Sequence, residues 1–151
     1  MACEFVENAV QLVQPDQNVL LDTSIACPNG NVMHRPGAGI VTLRGNCGGC
    51  NRFARYQVTF NGNVAIPTEG TVGPIAVALA VDGEPIQTSR AIVTPAAVDQ
   101  YFNVTSTAII TVPKGCCFTV AVENISTGAT AADAAPAINV QNANLTVARI
   151  A

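Results

Sequence analysis

Six cysteines and one histidine are the residues best equipped for chemistry in this chain of 151 residues. The cysteines are Cys3, Cys27, Cys47, Cys50, Cys116 and Cys117. Cys47 and Cys50 make a CxxC inside Gly45-Asn46-Cys47-Gly48-Gly49-Cys50-Asn51, a glycine-rich turn. A thioredoxin-type pair opens a helix after a strand, and nothing helical follows here. Structural zinc needs four ligands, commonly a second CxxC or a histidine pair. Further ligands could come only from Cys27, Cys116, Cys117 or His34. The six residues are therefore read as structural thiols, disulfides or links between subunits, with a metal the remote case; no metal site and no cofactor is expected. Cys116 and Cys117 are adjacent at the start of an apolar run, so in a strand their side chains point to opposite faces. That puts one in the core and the other outside.

A Cys–His nucleophile pair requires His34 beside Cys27 or Cys47 and a third group to orient it, and no spacing supplies one. His34 reads as a strand residue paired across the sheet or with solvent. The carboxylates Glu69, Asp82, Glu84 and Asp99 all fall in or beside turns, where acidic side chains are ordinarily solvated. No feature sets two of them across a cleft, as glycoside hydrolysis demands. Gly37-Ala38-Gly39 lacks the following helix whose N-terminus would hold a phosphate. The expectation is a protein with no catalytic residues, not an enzyme.

Composition bounds the rest. Apolar residues make up 49% of the chain and charged residues 11%, with a formal net charge of −3. Globular domains carry about 25% charged residues, so this surface is either polar without charge or covered by copies of itself. Seven basic against ten acidic side chains exclude the basic footprint of a nucleic-acid partner. No stretch reaches the roughly 20 apolar residues of a membrane-spanning helix. Residues 1–8 contain Glu4 and Glu7 in place of a basic n-region and apolar h-region, so no secretory signal is visible. The length suits one domain.

The apolar period along the chain is two. Ala54, Tyr56, Val58 and Phe60 alternate with Arg55, Gln57 and Thr59, which makes a strand with Tyr56 and Phe60 in the core. Short strands flank Pro15-Asp16, and another lies at Ile40–Leu43. Ile75–Val81 is apolar on both faces, with Ala76, Ala78 and Ala80 on the second, and runs into Asp82-Gly83, a strong hairpin signal. Further strands are expected at 86–93, 101–104, 108–112, 117–123 and 144–150, with a tight turn at Pro113-Lys114-Gly115. Pro95–Gln100 is the expected helical turn, and 126–137 a low-complexity surface loop. Tyr101-Phe102 is expected to straddle the sheet, one ring inside. Sequons at Asn103, Asn124 and Asn144 are read as chance in an Asn- and Thr-rich chain. Eight to ten short strands argue for an all-β, antiparallel two-sheet jelly roll, with residues 1–8 as an N-terminal arm or tether and 9–151 as the domain.

Four segments carry a resemblance: Gln17–Thr23, Val32–Arg35, Gly37–Leu43 and Ala54–Phe60. Their order resembles the first strands of tumour-necrosis-factor-like and complement-type globular domains, a group that includes the heads of bacterial spore-surface glycoproteins and phage structural proteins. Tyr56, Val58 and Phe60 match the family's central strand, and Leu145–Ala151 matches its chain-ending strand. The whole chain is also similar to small proteins of gut bacterial genomes and prophages. The resemblance implies three jelly rolls around a three-fold axis, in contact through apolar strand faces. Ala76, Ala78, Ala80, Leu145 and Val147 are the candidate trimer interface. It further implies a non-enzymatic structural subunit of a phage virion (a decoration, head-fibre or related protein) whose N-terminal arm engages other virion or surface-assembly proteins. The alternatives are a disulfide-linked spore or cell-surface appendage subunit, and a glycan- or receptor-binding head using loops 45–52, 67–73 and 126–136. A virion or extracellular surface assembly is the expected location.

Overall fold

Alternation from Phe53 to Ala65 builds the longest strand, because every second side chain finds apolar cover while its neighbours meet water. A computed structural model describes residues 2–27, 30–128, 130 and 133–151. Twelve strands appear among them: β1 Ala2–Glu7, β2 Gln11–Val13, β3 Thr23–Ala26, β4 Val32–His34, β5 Val41–Arg44, β6 Phe53–Ala65, β7 Ile75–Val81, β8 Glu84–Pro85, β9 Ala91–Val93, β10 Phe102–Pro113, β11 Cys117–Asn124 and β12 Ile138–Arg149. They form two antiparallel six-stranded sheets. The first runs β10-β6-β12-β1-β3, with β2 on β12; the second runs β4-β5-β11-β7-β8, with β9 on β7. The architecture is a jelly-roll sandwich, and Phe5, Tyr56, Phe60, Leu79 and Leu145 are among the side chains that fill one core between the sheets.

Turn chemistry sets the hairpins. Asp82 and Gly83 both have positive φ, 51° and 84°, as a two-residue hairpin turn of the primed type requires. Gly115, with φ 77°, closes the turn between β10 and β11.

Several expectations are corrected. The arm proposed over residues 1–8 contains β1, which lies inside the first sheet between β12 and β3. Cys3 and Phe5 alternate with Glu4 and Val6, so the segment buries one face like any other strand. The helical turn is at Gln87–Ser89, not 95–100. The strands expected at 101–104 and 108–112 are one strand, β10. Tyr101 and Phe102 are both exposed, since they sit at the strand's open end.

Candidate assembly face

The outward face of the first sheet is made by alternate residues of four long-paired strands, and register places them in rows. Thr105, Asn61, Asn144 and Val6 lie side by side; so do Thr107, Thr59, Thr146 and Glu4, and then Ile109, Gln57, Ala148 and Ala2. Asn103 with Asn63 and Gln141, and Thr111 with Arg55, extend the pattern at either end. Within these rows only Glu4 and Arg55 carry charge.

Amides and hydroxyls on this face bond one another, mostly across strands. Asn103 Nδ2 donates to Asn61 Oδ1 at 2.8 Å and to Asn63 Oδ1 at 3.2 Å. Thr105 Oγ1 donates to Asn61 Oδ1 at 3.2 Å, and the Thr59 and Thr107 hydroxyls are 3.0 Å apart. Asn63 Nδ2 donates to Asn142 Oδ1 at 3.2 Å, Thr146 Oγ1 to Asn144 Oδ1 at 3.1 Å, and Asn144 Nδ2 to Glu4 Oε1. Such cross-strand pairs stabilise the sheet by a few tenths of a kcal/mol to about 1 kcal/mol each. They also leave many of the face's polar groups oriented by neighbours. Ile109, 63% exposed, stands at its β10 edge.

The second sheet faces outward with different residues. Ala80 pairs with Ala121 and Ala78 with Glu123, so these share a face. Ala76, Ala78 and Ala80 are 4%, 0% and 1% exposed in the single chain, and Leu145 and Val147 are core residues. The five positions expected at a trimer interface are therefore covered within one chain, and none is available to a neighbour. A two-sided apolar period reports burial on both faces but not which molecule does the burying.

Glu123 was not singled out by its sequence context, yet it is 8% exposed. Burial, followed by the nearby charges of Asp16 and Glu84, raises its carboxyl above the ordinary range. Asn124 is fully buried: Nδ2 donates to the Val13 and Pro136 carbonyls, each at 3.0 Å, while Oδ1 accepts from Ser126 N–H. That sequon is closed in the folded protein.

The candidate chemical residues are dispersed. Cys3 and Cys27 form a disulfide across β1 and the end of β3, and Cys3 is 1% exposed. It cannot serve as a link between subunits while so paired. Cys47, Cys50, Cys116 and Cys117 are free and all exposed. Cys116 is not in the core because β11 begins only at Cys117, so strand alternation does not govern the pair. His34 donates through Nε2 to the Ala38 carbonyl at 3.0 Å, with Nδ1 3.0 Å from Ser24 Oγ and its ring 4.6 Å from that of Phe5. Those partners hold a structural histidine. Asp82 accepts from Thr119 N–H and Oγ1, and Asp99 from Thr68 Oγ1, which ties turns together. No group of three His, Cys, Asp or Glu residues arranged to hold a metal occurs among the described residues. The three loops named for a binding head are split: 45–52 sits beside the β10–β11 turn, whereas 67–73 and the described part of 126–136 meet around a separate hollow.

Comparison with solved structures decides what this sandwich is. The globular domain of zebrafish complement 1qA superimposes with a TM-score of 0.65 at 14% identity, over 99% of this chain and 97% of that one. The fold is the tumour-necrosis-factor-like, complement-type jelly roll. The same jelly roll is matched by the Eiger TNF of S. frugiperda, with a TM-score of 0.66 at 13% identity over 100% and 92% of the two chains. The PRD1 vertex protein P5 superimposes with a TM-score of 0.51 at 13% identity, over 99% and 96%. No family model matches the sequence, and no curated protein does.

Proposed function

We propose that the protein is a non-enzymatic structural subunit that assembles with copies of itself, as a trimer, through the outward face of the first sheet, and that the assembly is part of a phage virion. The observation that carries the reading is the sparsely charged ladder of Asn, Thr and Gln, in whose rows only Glu4 and Arg55 carry charge and at whose β10 edge Ile109 stands exposed. A face with little charge costs less to desolvate than a highly charged one, and many of its amides and hydroxyls are already paired with one another. Closed cyclic symmetry is the default for such a self-complementary unit. The jelly-roll fold shared with a vertex protein, and the shortage of charge over the whole chain, support the setting.

The proposal replaces the alanine strand with Thr59, Thr107 and Ile109 as contact residues. Light scattering at micromolar concentration tests the assembly: the wild type should have the mass of three chains, and a monomer would refute it. Mass analysis of purified particles tests the setting; failure of the protein to co-purify with virions would reject that part alone. Cell-surface appendages linked through Cys3 lose support, because that sulfur is already bonded within the chain.

A further inference from the structure

The four free thiols lie on two neighbouring stretches of chain that the backbone clamps side by side. Gly45 N–H donates to the Cys116 carbonyl at 2.9 Å, Gly115 N–H to Asn46 at 3.0 Å, and Lys114 N–H to Arg52 at 2.8 Å. Lys114 Nζ adds a bond to the Gly49 carbonyl at 2.8 Å. The approach is close enough that a Cβ on Gly45 would lie 2.1 Å from the Pro113 carbonyl oxygen. Cys47, Cys116 and Cys117 line one hollow of about 210 Å³ with Arg44. Cys47 Sγ folds back to within 4.0 Å of the carbonyl oxygen of Gly45, the residue whose N–H is bonded to Cys116. Cys50 does not reach this hollow.

Charge converges on the same end. Arg44 is opposite Cys117 in register, Arg149 donates to Asn46 Oδ1, Arg55 shares backbone bonds with Ile150, and Arg52 and Lys114 are joined as above. Five of the chain's seven basic residues therefore lie in the segments that meet at this end, with Arg44 lining the hollow and Lys114 bonded to the loop that carries Cys47. Residues 44–55, 111–118 and 145–151 contain no Asp or Glu.

We infer that this end is a site of thiol–disulfide exchange for anionic low-molecular-weight disulfides of the glutathione type, and that exchange leaves a disulfide from Cys47 to the Cys116-Cys117 pair. The Cys47 thiolate attacks one sulfur of the incoming disulfide, whose S–S bond breaks, and one small thiol departs. Cys116 or Cys117, as thiolate, then attacks Cys47 Sγ in the mixed disulfide and expels the second small thiol. Two protein thiols are oxidised by two electrons, the reagent is reduced to two thiols, and the two protons lost by the cysteines end on those thiols. The resulting cross-link would pin loop 45–52 to the β10–β11 turn. The basic surround concentrates the anionic reagent. The inference stands independently of the assembly reading.

Trypsin separates the partners, because cleavage after Arg44, Arg52 and Lys114 places Cys47 and Cys50 on peptide 45–52 and Cys116 and Cys117 on peptide 115–149. The full chain is incubated with oxidised glutathione, quenched with an alkylating agent, digested without reductant and weighed by mass spectrometry. The expected product joins the two peptides; Cys47→Ser abolishes it and Cys50→Ser retains it. Raising salt should slow the reaction with oxidised glutathione about tenfold and leave that with uncharged hydroxyethyl disulfide unchanged. An internally oxidised 45–52 peptide, a lasting glutathione adduct or a link between two copies would overturn the cross-link. Equal salt dependence for both reagents would overturn the selectivity for anions.

Discussion

The two sheets have outward faces of opposite character, and the apolar one is not the open one. The second sheet shows a row of alanines on β7, all covered within the chain, with a buried carboxylate at Glu123 beside them. The first sheet shows Asn, Thr and Gln to water, with its Asn and Thr side chains bonded among themselves. Hydropathy alone would choose the alanine face for contact with a neighbour, whereas exposure chooses the ladder. Small side chains on β7 reflect close packing inside one molecule, and low charge on β6 and β10 is the feature on which the proposed contact rests.

Four substitutions break or sharpen this contrast. Ala78→Arg has the largest expected effect: a charge and excess volume at a fully buried position should cost at least about 3 kcal/mol of folding stability. Thermal melting at a concentration too low for association checks it, and an unchanged melt would place that face outside the fold's interior. Removing the disulfide by Cys3→Ser should cost about 3 kcal/mol, as expected for a cross-link spanning 24 residues; urea denaturation measures the loss. It tests whether β1 is held as a strand of the open-faced sheet.

Glu123→Gln should instead stabilise the protein by about 1 kcal/mol at neutral pH by removing a charge from the covered face. The folded carboxyl binds its proton more tightly than the unfolded one, since burial and then Asp16 and Glu84 raise it. Its contribution is therefore most favourable at acid pH and is lost as pH rises from the ordinary carboxylate range through the raised value. Melting the wild type and the variant across that window should show a gap that opens with pH. A constant gap would mean that Glu123 is ionised freely. The smallest folding effect is expected on the ladder, where Thr107→Arg should shift monomer stability by no more than about 0.5 kcal/mol, measured by the same denaturation.

Much of the fold was legible in the residues. Strict alternation around Tyr56 and the Asp82-Gly83 pair each have a local physical cause, so β6 and the β7–β8 hairpin were readable directly. Cys3 and Phe5 alternate with Glu4 in the same way, but a short segment at the start of the chain offers too few periods to outweigh two acidic residues, and β1 was read as an arm. The Cys3–Cys27 bond was only one of many pairings, because it depends on which strands lie side by side. The candidate face was hidden for the same reason: Thr59, Thr107 and Thr146 become one row only when β6, β10 and β12 are in register. Ala78 shows the converse, a local pattern read correctly as buried and assigned to the wrong molecule.

The central claim is that copies meet through the polar ladder. Light scattering of the wild type and Thr107→Arg, both at micromolar concentration, tests it most directly. The account predicts a three-chain mass for the wild type and a folded monomer for the variant. A monomeric wild type, or a variant that still assembles, would contradict it.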